Sequence, residues 1–381
     1  MLIDNYSHLK YLTSHPSNAD QVFATMVIAI NDLEEPLAIG VHFVGSINLP
    51  TTTDVFSQVP KLLPNRLRRL PDGETGKRDY FVVWQREVFA TAPEVLMPDP
   101  TAGEEFIVAP PPTPAELEAS LARLPAKLEA KYDTYALESY ELFKQFKEEG
   151  NIGKDVKFQV CIPGPSNTLF QIHPSYQPAI APRYEAALLS SMQKIQEQIP
   201  NEELAIQIDV AGEIGLLEHV PLFGNYYLQD REQILSQVAR IARGVKEGVE
   251  LGFHVCYGDI GHQHFVQPKD LGLCVSVVNE LMERVGRGAD WVHMPVPKDR
   301  TDEEYFVSLS ELKRGEGGVK EVYIGLVHPG DLEGTKKRCE RVAAVLGKGS
   351  FGVGTECGMG RTPKEEFDSI LEIMGQASGE V

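Results

Sequence analysis

Leu204-Ala-Ile-Gln-Ile-Asp209, Arg231 to Leu251 and Gly252-Phe-His-Val-Cys-Tyr257 read in order as a strand, an amphipathic helix stopped by Gly252, and a second strand. The helix returns the chain, so the second strand runs parallel to the first. Further strand-like runs lie at 40–45, 67–71, 157–162, 289–294, 321–327 and 351–355, which makes eight. Helical patterns fill Arg183 to Gln198, Leu271 to Arg287, Thr335 to Gly347, and Pro363 to Gln376 with Thr362 as N-cap. Strand and helix alternating eight times favour a (β/α)8 TIM barrel over an open sheet.

Two regions fall outside that alternation. Residues 1–38 read as a partly apolar helical extension packing on the barrel or on a partner, ahead of a single barrel over 39–381. Residues 95–115 carry Pro98, Pro100, Pro110, Pro111, Pro112 and Pro114 and read as a loop, followed by a helical stretch from Pro114 to Glu149. This insertion, about 95–150, is expected to cover part of the barrel mouth.

A formal charge of −19 argues against nucleic acid or an anionic membrane surface as a partner, because phosphate binding needs clustered Lys and Arg. A small-molecule substrate is the better expectation, and an oligomer is compatible with the composition. No apolar run reaches the roughly 18 residues of a membrane span, and the N-terminus lacks the basic and apolar regions of a secretory signal. The five cysteines are odd in number and widely scattered, so reduced thiols and a cytoplasmic location are expected.

Chemistry in such a barrel sits at the C-terminal ends of the strands. Polar residues collect there: Ser46, Asp72-Gly-Glu74, Gly164-Pro-Ser166, Asp209 with Glu213, His254 with Cys256, His293, His328, and Glu356-Cys357. His254-Val-Cys256 and Thr355-Glu-Cys357-Gly offer one imidazole and two thiolates to a zinc ion, a set that leaves a position for substrate. Blander readings stand beside these. Cys161, Cys274 and Cys339 read as small core residues. Ser46 suits a turn cap, Asp209 a partner for a buried Arg, and Glu74 an ion pair with Lys77 or Arg78. His328-Pro-Gly330 suits a turn, and His262 with His264 suits either extra ligands or a solvated loop.

The order Val44-Gly-Ser46, Asp72-Gly-Glu74 with Arg78-Asp79, Pro163-Gly-Pro165, Gln207-Ile-Asp209, His254-Val-Cys256-Tyr, Ala289-Asp290, Val327-His328-Pro and Glu356-Cys357-Gly resembles the C-terminal catalytic barrel of cobalamin-independent methionine synthase. The resemblance covers roughly residues 40 to 365. Without a second barrel, the chain is more similar to the single-barrel zinc thiol-alkyltransferases, including epoxyalkane:coenzyme M transferase. The resemblance implies Zn2+ on His254, Cys256 and Cys357. It implies that Ser46, Glu74 and Asp209 hold the amino and carboxylate groups of an amino-acid thiol, with Asp209 and His328 as catalytic groups and His328 the proton donor. The family's glutamate zinc ligand falls at Pro295, which leaves His293, one inward step earlier, as a substitute ligand or a partner behind the ligands. The aromatic that stacks on folate is replaced within Ser166-Asn-Thr-Leu-Phe170, so folate-dependent methylation of homocysteine is not expected. The implied function is methionine-synthase-like alkyl or methyl transfer, or C–S chemistry, on a small carboxylated thiol. Two alternatives remain: a metal-free decarboxylase or lyase similar to uroporphyrinogen decarboxylase, and a non-catalytic ligand-binding barrel.

Overall fold

The computed structural model describes residues 35–99, 101, 107–258 and 264–381. The expected extension at 1–38 and His262 therefore lie almost wholly outside the described residues. Seven strands form one parallel sheet in sequence order: β2 (Arg69–Pro71), β3 (Lys157–Pro163), β4 (Leu204–Val210), β5 (Glu250–Val255), β6 (Trp291–Pro295), β7 (Glu321–Gly325) and β8 (Gly352–Val353). The short β1 (Ala38–Ile39) pairs in parallel with β9 (Ser378–Gly379).

The segment following β1 closes the ring. Val41 forms parallel bridges to both Leu67 and Val353; its amide donates to Arg66 O, and the amide of His42 donates to Val353 O. This eighth staves position completes a (β/α)8 barrel, with the helices outside it. Gly40 O also accepts from Val353 N at 3.1 Å, and Ser46 bridges Gly73, with Ile47 N donating to Gly73 O at 2.8 Å; between these contacts the carbonyls of Phe43 and Val44 are satisfied from across the barrel. Val44 O accepts from Gln207 Nε2 at 2.6 Å and from Cys161 Sγ at 3.0 Å, and Phe43 O accepts from Gln159 Nε2 at 2.9 Å.

Successive strand residues face opposite ways, which produces two cores. Phe158, Ile206, Phe253, Val292 and Ile324 belong to the apolar layer beneath the helices. The alternate residues point inward, and there the filling is polar and aromatic. Arg69, 3% exposed, forms the floor between Glu250 at 2.6 Å and Glu321 at 2.8 Å, with its guanidinium 4.2 Å from the Trp291 ring. Trp291, Tyr323 and Ala205 cluster at that level. Above them lie His42, Gln159, Gln207 and His293, and then the strand ends.

Several boundaries differ from the sequence reading. The helix expected over 231–251 is Arg231–Ala242, because Gly244 and Gly248 (φ 88°) interrupt it and Glu250–Leu251 pair with Ala205–Ile206. The helical stretch expected over 114–149 is two helices, Pro114–Arg123 and Tyr132–Glu148, since Pro125 cannot continue the first. The first carries a capping box between Thr113 and Glu116. The second packs on β3 and on the helices Thr52–Leu62 and Gln177–Gln198 in the outer layer, and its first turns reach the strand ends, where Ser139 Oγ donates to Asp72 Oδ2 at 2.7 Å. Tyr80–Val83, ahead of that insertion, line the cavity at the mouth. Among the described residues, no helix is long and apolar enough to cross a membrane.

Gly252 faces the barrel interior opposite Trp291, and a Cβ added there would lie 2.0 Å from the indole ring. Gly252→Ala is expected to destabilise the protein by about 1–3 kcal/mol through overpacking, read as a lower urea midpoint with unchanged slope. An unchanged midpoint would show that the indole has room to move.

Candidate metal centre and the cavities beside it

His254 is the last inward residue of β5, and Cys256, two positions on, keeps the same face as the strand ends. Cys357 comes from the turn after β8, where Thr355 Oγ1 donates to Cys357 O at 2.7 Å. That turn is tied to the closing segment: Met359 N donates to Ser46 O at 2.7 Å and Gly360 N donates to Ser46 Oγ at 3.1 Å. A Cβ at Gly358 would sit 2.4 Å from Ser46 Oγ, so close passage of this turn requires glycine there. One ligand atom from each of His254, Cys256 and Cys357 lies within 4.8 Å of the others. The His254 Nε2 to Cys357 Sγ distance is 3.9 Å.

The electrostatics of this trio suit a cation. Burial, then His293 and His42, push the His254 imidazole well below its ordinary value, leaving a neutral ring with a lone pair to offer. The hydrogen bond with Cys357, then burial, push the Cys256 thiol well above its ordinary value. A divalent cation reverses that preference by offsetting thiolate charge.

His293, fully buried, lies on the far side of His254, its Nδ1 2.8 Å from His254 Nδ1. Its Nε2 packs against the backbone at Gly354, where an added Cβ would be 3.0 Å away. Burial pushes its imidazole down to about 3. The geometry therefore puts His293 behind His254, outside the trio.

A cavity of about 70 Å³ adjoins the trio. It brings together Ser46, Glu74 and Asp209, as well as Arg361, which sequence reading passed over. A charged residue in the Gly-rich turn Cys357-Gly-Met-Gly-Arg361 was the available signal. The Arg361 guanidinium lies 4.9 Å from the Tyr80 ring. Burial, against the pull of Arg78, raises the Glu74 carboxyl to about 7. Asp209 Oδ1 accepts from Gln207 Nε2 at 2.8 Å. Burial, then the Glu74 carboxylate, raise Asp209 well above the usual range. Asp209 thus has an amide partner rather than the buried Arg considered from sequence. Phe81, Phe170 and Phe265 give the cavity an aromatic wall. Glu213 stays out of it, accepting from Ser166 N at 3.2 Å and Asn167 Nδ2 at 3.1 Å.

His328 is separate from the residues it was expected to serve. It lines a second cavity of about 330 Å³ with His264, Glu356 and Glu366, and among the described residues this cavity shares with the first Cys256, Gly258, Cys357 and Gly358. Its Nε2 donates to Val296 O at 2.9 Å, and burial pushes the ring down to about 3. The Val296 carbonyl thus holds the Nε2 proton and leaves Nδ1 as an acceptor, with burial favouring the neutral ring.

No family model matches the chain. No curated protein matches it either. Among solved structures, a B12-independent methionine synthase from Shewanella sp. W3-18-1 in complex with selenomethionine is similar at 16% identity and a TM-score of 0.43, covering 58% of this chain and 61% of that one. The chain thus spans about three-fifths of that protein's length. A putative vitamin-B12 independent methionine synthase from Listeria monocytogenes is similar at 13% identity and a TM-score of 0.45, covering 89% of this chain and 98% of that one.

Between pH 4.5 and about 7 the folded protein holds a proton on Glu74 that the unfolded chain has released, so this group lowers stability as pH rises through that window. The buried histidines contribute with the opposite sign, so a difference measurement is needed. In chelator-treated protein, the stability of Glu74→Gln relative to the parent should grow from pH 4.5 to 7 and then level off, as followed by urea denaturation. A pH-independent difference would show that the Glu74 carboxylate carries no burial penalty.

Proposed function

We propose that this protein is a zinc enzyme of methionine-synthase-like type, transferring an alkyl or methyl group at sulfur on a small carboxylated thiol. The observation that carries the reading is the His254, Cys256 and Cys357 trio in the wall of a cavity that also holds Ser46, Glu74, Asp209 and Arg361. The donor set fits the metal: a neutral imidazole and two thiols that a cation would ionise, with a coordination position left over. Zinc bound there would supply a substrate thiolate at neutral pH.

The chain's own residues do the rest. Arg361 and the Ser46 hydroxyl receive the substrate carboxylate, while Glu74 and Asp209 accept hydrogen bonds from its ammonium group. Asp209, with Oδ1 held by Gln207, takes the thiol proton on its other oxygen; its raised affinity for protons suits that role. The Phe81, Phe170 and Phe265 wall keeps water from the reacting sulfur. His293 acts from behind the trio. For His254 Nε2 to offer its lone pair, Nδ1 must carry the proton, and His293 Nδ1 accepts it at 2.8 Å, fixing tautomer and ring orientation. All five cysteines are free, which agrees with work in the reducing cytoplasm.

Purified protein is expected to hold about one zinc per chain, and Cys357→Ser should release it on dialysis against a mild chelator. Full retention by that variant would refute the ligand set. His293→Leu should weaken zinc binding by roughly 10–100-fold, with His293→Gln, whose carbonyl can still accept, recovering much of the loss. Equal affinity in all three proteins would leave His293 a packing residue.

A further inference from the structure

We propose that the inserted helix Tyr132–Glu148 is a positioning element for Glu74: its Ser139, acting through Asp72 and Arg78, fixes how the Glu74 carboxyl enters the first cavity. The proposal rests on the reading that Glu74 accepts from a substrate ammonium group, and it assigns what holds that acceptor in place. Glu74 stands in a turn of two successive left-handed residues, Gly73 (φ 81°) and Glu74 itself (φ 46°). Glycine adopts that region freely; glutamate does so only where its surroundings hold it there. Asp72 Oδ1 accepts from Glu74 N at 2.9 Å, and Gly73 O accepts from Ile47 N at 2.8 Å, so the turn is pinned on both sides. Glu74 Oε2 lies over Gly45, where an added Cβ would be 3.3 Å away.

The inserted helix presents one face to this turn. Tyr132, Tyr135, Ala136 and Ser139 follow the i, i+3, i+4, i+7 spacing of a single helical face. Ser139 Oγ and Arg78 Nη2 each donate to Asp72 Oδ2 at 2.7 Å, so both oxygens of the Asp72 carboxylate are committed. The Arg78 guanidinium lies 4.7 Å from the Tyr135 ring. Tyr132 and Ala136 line a small chamber of about 20 Å³ with Asp72, Arg78 and Glu74, and among the described residues Glu74 alone lines both this chamber and the first cavity. Asp72, Arg78 and Ser139 are all buried, and packing alone would be met at 139 by an apolar side chain, as Ala136, Tyr140 and Phe143 meet it on the same helix. A hydroxyl donating to a carboxylate that also holds Arg78 and the Glu74 amide does more, because such bonds fix direction. Burial raises the Glu74 carboxyl, and Arg78 is the first of the charges that oppose burial, so the same contacts bear on both the position of the acceptor and its charge.

The test uses the full chain, with metal content measured on each preparation. Ser139→Ala removes the hydroxyl and keeps a strong helix former at that position. The Glu74 carboxyl signal in carbon NMR, assigned by its loss in Glu74→Gln, is expected to move in Ser139→Ala. That of Glu213, assigned by its loss in Glu213→Gln and held elsewhere by Ser166 and Asn167, should stay in place. Titrated calorimetrically, L-cysteine is expected to bind the parent more tightly than 3-sulfanylpropanoate, which lacks only the ammonium group. Ser139→Ala should weaken L-cysteine by about threefold to tenfold, leave 3-sulfanylpropanoate within about twofold, and have no further effect in a Glu74→Gln background. A Glu74 signal that moves no more than that of Glu213, equal losses for the two thiols, or a loss that persists with Glu74→Gln would each overturn the proposal. If Ser139→Ala does not unfold cooperatively like the parent, Tyr135→Leu, which removes the ring beside Arg78, is read in its place against the same outcomes. A parent that binds neither thiol, or both equally, refutes the ammonium reading of the site. The Glu74 signal alone then decides, sustaining the positioning role if it moves and overturning it if it does not.

Discussion

The side-chain amide of Gln207 is the contact on which the closed ring and the site both depend. Its Oε1 accepts from His42 Nε2 at 2.9 Å and from Trp291 Nε1 at 3.4 Å, and its Nε2 donates to Val44 O and Asp209 Oδ1. The amide's two donors and its acceptor oxygen are thus all used inside the barrel. One partner, Val44, belongs to the irregular segment that closes the sheet, and another, Asp209, lies in the cavity wall. Loss of this amide would leave buried groups unpaired on several strands at once, each at a cost of about 1–3 kcal/mol.

A polar barrel interior costs more to build than one filled with Val and Leu, and what it provides is electrostatic. His42 and His293 lie with ring centroids 5.5 Å apart, and His293 and His254 4.9 Å apart. Rings buried this closely stay neutral, since charging one would repel its neighbours and forfeit hydration. A neutral stack beneath the strand ends presents His254 as a lone-pair donor. Below it, the positive charge of Arg69 is held at the floor by Glu250 and Glu321, away from the thiols.

The strand ends then divide the mouth. The turn carrying Cys357 runs past Ser46 and leaves the thiols in a wall with cavities of unlike character against it. One cavity sets Glu74 and Asp209 beside Arg361, and the other sets Glu356 and Glu366 beside two imidazoles. The chemistry proposed at sulfur needs two reactants brought to one atom, and a wall reached from two cavities allows each its own recognition surface.

Much of the fold was legible in local pattern. Apolar runs at 157–162, 204–209 and 321–327, punctuated by helices and glycines, mark strands because each depends on near neighbours along the chain. The ends of the β5 and β8 runs likewise single out His254, Cys256 and Cys357, since the alternation of a strand decides which residues face inward. What local pattern could not decide was whatever depends on groups distant in sequence. Closure through isolated bridges at Val41 and Ser46, the place of the Tyr132–Glu148 helix in the outer layer, and the insertion of Arg361 beside Glu74 all arise from packing between remote segments. The same holds for His328, which reads as an ordinary titrating histidine until burial and the Val296 carbonyl set its proton. Strand periodicity is written in the order of residues, but desolvation, tautomer and the division of the mouth into two cavities are properties of the space that the closed barrel encloses.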